Sequence, residues 1–97
     1  PVRYENSTHV FHQYTMMIES DRDGLKAHMD AMGIPAMIYY PVPLHMQKAY
    51  LDARYNEGDF PTTENLSKKV ISLPMHTELN DDQISTITSA VISYFQK

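Results

Sequence analysis

The sequence predicts an α/β fold: a small sheet of about three strands with helices packed on one face. Apolar, β-branched segments at positions 9–18, 36–40 and 70–73 have the patterns of strands. Segments with helix-start signals or helical periodicity lie between and after them. A chain of 97 residues with 42% apolar content is long enough for one core of this kind, so we expect residues 1–97 to form a single domain.

The first strand is predicted over residues 9–18, because alternation puts five side chains on one face: Val10, His12, Tyr14, Met16 and Ile18. A helix follows, and Ser20 is its expected cap, accepting a hydrogen bond from the Asp23 N–H. Gly33 and Pro35 are expected to end that helix, since Gly can take a left-handed conformation and Pro cannot continue it. The second strand is predicted over residues 36–40.

Two prolines, Pro41 and Pro43, stiffen the connection after the second strand. Proline fixes its own φ and pushes the preceding residue toward extended backbone, so Tyr40 is expected to be extended. A short helix is predicted over residues 45–52, a loop over 57–61 and a further helix over 62–69. Residues 70–73 are the predicted third strand, which stops at Pro74.

The last helix has the clearest start signal in the chain. Asn80 can accept the N–H of Gln83 while the Gln83 side chain bonds back to the Asn80 N–H, which is the pattern of a capping box. Helical spacing then predicts a buried stripe of Ile84, Ile87, Val91 and either Tyr94 or Phe95.

Composition narrows the function classes. The formal net charge is −4 and no dense stripe of Lys and Arg occurs, so nucleic acid is not an expected partner. The chain has no cysteine, which excludes thiol chemistry and fits a reducing compartment such as the cytoplasm. No apolar run approaches the ~20 residues that span a bilayer, so no membrane association is expected. Because the chain begins at Pro1 with a polar lead, we expect it to be a piece of a longer protein.

Three segments match one known family in order and spacing. They are HVFHQY at residues 9–14, YYPVPLH at 39–45 and ISLPMH at 71–76, followed by Glu78, Leu79 and the last helix. The chain resembles the C-terminal small domain of the DegT/DnrJ/EryC1/StrS sugar aminotransferases. The family often has histidine where this chain has Tyr39, so no role of that histidine is transferred.

The resemblance implies the aspartate-aminotransferase fold, called fold type I, and a pyridoxal-phosphate enzyme that is a homodimer at full length. Such enzymes move an amino group, usually from glutamate, to a nucleotide-linked keto-sugar. The resemblance also implies that the catalytic lysine lies in a large domain outside residues 1–97, so we expect this chain alone to hold no cofactor and to be inactive. Its five lysines are expected on solvated faces. The alternative is a free-standing ligand-binding or interaction module of α/β type.

Five residues are candidates for contact with the substrate: Tyr40, His45, Tyr39, His12 and Tyr14. Tyr40 and His45 flank the proline corner, which the resemblance implies is near the substrate, and a phenol and an imidazole suit sugar hydroxyls or a diphosphate. The alternative is that Tyr40 packs in the core and His45 caps the next helix. For His12 and Tyr14 the alternative is a half-buried strand face. No metal site is expected, because the histidines lack the spacing of zinc ligands.

Overall fold

The structure, a computed structural model, describes residues 2–96. Two strands and three α-helices form in chain order, with two short 3₁₀ helices in the middle of the chain. They are β1 (Tyr14–Met17), α1 (Arg22–Ala31), the 3₁₀ helices Leu44–Met46 and Lys48–Tyr50, α2 (Pro61–Lys69), β2 (Val70–Leu73) and α3 (Asp81–Phe95). The α/β class predicted from the sequence is confirmed.

The sheet is antiparallel, with register from Tyr14 opposite Leu73 to Met17 opposite Val70. Over residues 2–96 it has two strands rather than about three. The strand predicted over 36–40 is reduced to one bridge, in which Met37 and Ser72 exchange backbone hydrogen bonds of 2.9 and 2.7 Å. The pairing goes no further because Pro35 has no N–H to donate and Tyr40, at φ 57°, has left the extended region.

The first strand is also shorter than predicted, since only Tyr14–Met17 of residues 9–18 pair. Its partner β2 has four residues and is followed by Pro74, so residues before Tyr14 have no strand to bond with. Phe11 interrupts the extended course as well, with φ 50°. The alternation of residue types was therefore real, but it did not determine the length of the strand.

The core lies between the sheet, α1 and α3. Its buried members are Leu25, Met29, Ile34, Ala36, Ile71, Ile87 and Ala90. The capping box of Asn80 and Gln83 is confirmed, with bonds of 2.9 and 3.0 Å. Of the predicted stripe, Ile87 is buried and Val91 and Tyr94 pack against the core, but Ile84 is 46% exposed. Ala90, which the prediction did not include, is fully buried.

The cap of α1 is Asp21 and not the predicted Ser20. Asp21 has φ 57°, and its Oδ1 accepts the Gly24 N–H at 3.2 Å. The Tyr94 hydroxyl, from the far end of α3, donates to Asp21 Oδ2. Local sequence could not indicate this choice, because the residue that favours Asp21 is 73 positions away.

One helix was predicted over residues 45–52, and two 3₁₀ turns form instead. Gln47 lies between them with extended backbone, at φ −76° and ψ 133°. Its side chain donates to the Val42 carbonyl at 3.1 Å. Neither turn has a side chain capping its first N–H groups, and such short segments seldom form α-helix alone.

Gly24 supplies a stability test in which two effects have opposite signs. Helix propensity alone predicts that Gly24→Ala stabilises the protein by about 0.5–1 kcal/mol. A Cβ at this position would collide with the Tyr94 hydroxyl and the Asp21 carboxylate. Moving the Asp21 carboxylate aside would break its cap hydrogen bond to the residue-24 N–H, and the loss of a cap costs about 0.5–2 kcal/mol, so we expect net destabilisation in urea unfolding.

The same change in a Tyr94→Phe background should be less harmful, because one of the colliding atoms is then absent. A gain in stability for Gly24→Ala in the wild-type background would contradict the packing described at this helix start.

Candidate functional site

The proline corner places Tyr40 at the surface in an unusual conformation. Tyr40 has φ 57° and its side chain is 82% exposed, so the prediction of extended backbone at this residue is wrong. The left-handed residue turns the chain away from the bridge at Met37 toward the first 3₁₀ helix. A left-handed non-glycine residue costs about 1–3 kcal/mol, and such residues cluster at functional sites. The core packing considered for Tyr40 is excluded by its exposure.

The Glu64 carboxylate joins three segments around the corner. It accepts hydrogen bonds from His45 Nε2 at 2.9 Å, from the Gly58 N–H at 2.9 and 3.0 Å, and from the Phe60 N–H at 3.3 Å. We call these four residues the Glu64 node. The His45 and Glu64 side chains are only 8% and 12% exposed, so water has little access to this pair.

The charge state of Glu64 follows from these contacts. Partial burial raises the pKa of the Glu64 carboxyl, but hydrogen bonds from the Gly58 amide, the His45 ring and the Phe60 amide lower it by more in sum. Its pKa therefore lies below the ordinary range, and the group is a carboxylate at neutral pH. A carboxylate only accepts hydrogen bonds, so His45 Nε2 must be the donor. His45 thus anchors the 3₁₀ turn and does not cap a following helix.

An open groove lies beside the node, with a volume of about 360 Å³. We call it the aromatic groove. The residues that line it are Leu44, His45, Tyr50, Tyr55, Phe60 and Thr63. The Phe60 ring lies 4.8 Å from the His45 ring and 5.7 Å from the Tyr55 ring, measured between centroids. Phe60 therefore contacts both His45 of the Glu64 node and the ring of Tyr55.

The other candidates from the sequence lie in two different places. His12 and Tyr39 line a small groove of about 110 Å³ that also includes Met37 of the bridge. Tyr14 is 48% exposed and lines a larger, mainly apolar groove of about 490 Å³ between the sheet and α3. His12 and Tyr14 therefore line different grooves. His12 lies outside β1, so the side-chain alternation of the strand does not place it on the same face as Tyr14. Tyr40 lines none of these three grooves.

Sequence reasoning missed several members of this region: Glu64, Tyr50, Tyr55 and Phe60. Glu64 follows Pro61 in the first turn of α2, where an acidic residue ordinarily indicates only a favourable helix dipole. The combination of Gly58, Pro61 and Glu64 is the signal that could have found the node. Gly58 has φ 96°, a conformation that suits glycine and that turns its N–H toward the carboxylate.

Over residues 2–96, no group of three or more His, Asp or Glu side chains is arranged to hold a metal ion. None of the helices in that range has the length and apolar character needed to cross a bilayer.

Comparison with known proteins identifies the family. The model of the DegT/DnrJ/EryC1/StrS aminotransferase family matches residues 1–92. The chain therefore belongs to this aminotransferase family.

Individual relatives agree with this assignment. Over 83 residues, or 86% of this chain, it is 41% identical to a UDP-N-acetyl-3-dehydro-alpha-D-glucosamine 3-aminotransferase from Acidithiobacillus ferrooxidans, and covers 22% of that protein. It is 34% identical over its whole length to a dTDP-3-amino-3,4,6-trideoxy-alpha-D-glucose transaminase from Streptomyces venezuelae, covering 25% of it. The crystal structure of S. venezuelae DesV with a ketimine intermediate superposes with a TM-score of 0.88 at 34% identity, over 100% of this chain and 26% of that one. The chain thus spans about a quarter of the length of the relatives it matches.

The Glu64 node gives a pH-dependent prediction. A carboxyl whose pKa is lowered by folding stabilises the folded state above its unfolded pKa, about 4.3 for Glu, and that contribution is lost as the pH falls through the lower folded pKa. We expect Glu64→Gln to lower the urea midpoint at pH 7, because one carboxylate acceptor is replaced by an amide nitrogen. We also expect the variant to lose less stability than the wild type between pH 5 and pH 3.

Glu57→Gln is the matched control, since Glu57 is an exposed glutamate next to Gly58 in the loop before α2. If both variants shift the midpoint equally, the hydrogen bonds of the node do not stabilise the fold.

Proposed function

We propose that this chain is the small domain of a pyridoxal-phosphate-dependent aminotransferase acting on a nucleotide-linked keto-sugar. The observation that carries the proposal is the family match over residues 1–92. Relatives named as sugar transaminases, with nucleotide-linked substrates in their names, support the substrate class. Two of these names begin with dTDP and one with UDP. We therefore propose that the sugar substrate of this protein is also linked to a pyrimidine nucleotide.

The finer features of the proposal follow from the family. Glutamate is the proposed amino donor, the full-length protein is a homodimer, and it works in the cytoplasm. Residues 1–97 form the C-terminal small domain, and a large domain provides the cofactor site. This division into two domains accounts for the fact that the chain spans about a quarter of the length of its relatives.

The lysines of the described residues do not fit a pyridoxal-phosphate site. Lys26 is paired with Asp30 at 2.5 Å, and Lys69 with Glu19 at 2.6 Å. Lys48 lines a shallow groove beside the proline corner in which no acidic residue takes part. A pyridoxal site needs a lysine beside a carboxylate for the ring nitrogen and a nest of N–H groups for the phosphate. We therefore propose that the cofactor is held outside this chain.

Tyr40 and His45 are the proposed substrate-facing residues of this domain. The exposed, left-handed Tyr40 presents its hydroxyl outward from a corner that two prolines stiffen. His45 is fixed by Glu64 and lines the aromatic groove. Tyr39 and His12 share the small groove beside the bridge, while Tyr14 lies apart in the apolar groove.

The inactivity of the isolated chain has a direct test. The chain is incubated with pyridoxal phosphate at modest stoichiometry, reduced with borohydride and mapped by mass spectrometry. We expect only scattered surface labelling and no transamination, because the lysines within residues 2–96 are paired with a carboxylate or exposed. One specifically labelled lysine together with measurable turnover would overturn the proposal that the cofactor site lies elsewhere.

The proposed function is tested in the intact protein with Tyr40→Phe. The change removes one hydrogen bond, worth about 0.5–1.5 kcal/mol to a neutral partner and roughly 1.5–3 kcal/mol to a phosphate. We expect kcat/KM for the nucleotide-linked sugar to fall between a few-fold and about a hundredfold, with the glutamate half-reaction unchanged.

Tyr4→Phe is the matched control, because Tyr4 is 70% exposed and lines none of the grooves described above. Equal turnover of both variants and the wild type would remove Tyr40 from the substrate site. Absence of transamination by the wild-type protein with any nucleotide-linked sugar would contradict the proposed function itself.

A further inference from the structure

Three aromatic rings of the aromatic groove are exposed to solvent. Tyr50 is 60% exposed, and Tyr55 and Phe60 are each 43% exposed. These rings come from the second 3₁₀ helix and the loop before α2, so different parts of the chain converge on one groove. Its volume of about 360 Å³ falls within the range of small-molecule sites, roughly 300–1,000 Å³.

The groove also has a polar group in a fixed orientation. Glu64 accepts the hydrogen from His45 Nε2, so Nδ1 is the ring nitrogen that is left to meet a ligand. Within residues 2–96, Nδ1 of His45 has no hydrogen-bond partner. His45 lines the groove, and its side chain is 8% exposed, so the node fixes the orientation of the ring.

These two features select a particular ligand chemistry. Exposed aromatic rings stack on the faces of planar heterocycles, and every nucleobase offers such a face. A ring nitrogen fixed beside them favours a heterocycle with polar atoms on its edge. Uracil and thymine have such an edge, with an imide N–H between two carbonyls, together with a flat π-face, whereas a sugar ring presents only C–H groups to an aromatic ring.

We propose that the aromatic groove binds the pyrimidine base of the nucleotide-linked substrate. The base stacks on the Tyr50 ring and contacts the rings of Tyr55 and Phe60, whose planes differ by 49°, while its polar edge meets Nδ1 of His45. The inference rests on the proposed function for the identity of the substrate, but the groove and its binding chemistry can be tested separately. Glu64 is then a positioning residue, because it fixes the orientation of the His45 ring.

The test measures binding to the intact protein by saturation-transfer NMR and calorimetry, with UMP, dTMP and ribose 5-phosphate as probes. We expect the two nucleotides to receive saturation on their base protons, and ribose 5-phosphate to bind more weakly. Tyr50→Leu should weaken nucleotide binding roughly tenfold or more, since stacking on one ring is lost. Ribose 5-phosphate binding should not change.

Two controls separate the base contact from a general loss of structure. Tyr4→Leu replaces another exposed tyrosine away from the groove and should leave UMP binding unchanged. His45→Gln keeps an N–H donor for Glu64 but removes Nδ1 of the ring, so it should weaken UMP binding and leave ribose 5-phosphate binding unchanged.

The outcomes distinguish this inference from the proposed function. If UMP binds the wild type and Tyr50→Leu equally, or does not bind at all, the groove is not a base site, even where sugar transamination is intact. If UMP binding depends on Tyr50 but no nucleotide-linked sugar is transaminated, the groove assignment stands and the proposed function falls.

Discussion

The hydrogen bonds to Glu64 are the constraint on which the shape of the candidate site depends. The buried hydrophobic cluster of the described residues draws on positions 25–36 and 71–90, and none of its members comes from residues 38–66. That long segment therefore cannot be ordered by burial of large apolar side chains. Its 3₁₀ turn, its loop and the start of α2 meet at one carboxylate through His45, Gly58 and Phe60.

The domain thus has two parts with different sources of order. The sheet, α1 and α3 are held by apolar packing around Ile71, with polar contacts at the edges, such as Arg22 donating to the carbonyls of Ser67 and Val70 at 3.1 and 2.9 Å. The corner and the aromatic groove are held by polar contacts and by the stiffness of Pro41 and Pro43. Loops placed on a rigid scaffold in this way commonly carry function.

The sequence predicted those elements whose signals are local. The capping box at Asn80, the strand before Pro74 and the α/β class all depend on residues within a few positions of one another. Predictions failed where a distant partner decided the outcome. Tyr94 favours Asp21 over Ser20 as the cap of α1, and the short β2 limits β1. At the site, the motifs located Tyr40 and His45, but Glu64 is recognised only once folding brings it to His45.

Glu64 orders the segment that presents the aromatic groove and the proline corner. Amide hydrogen exchange, compared between the wild type and Glu64→Gln, measures this ordering residue by residue. We expect exchange at Gly58 and Phe60, whose N–H groups donate to Glu64, to accelerate much more than exchange in β2 and α3. Unchanged exchange at Gly58 and Phe60, or equal acceleration throughout the chain, would contradict it.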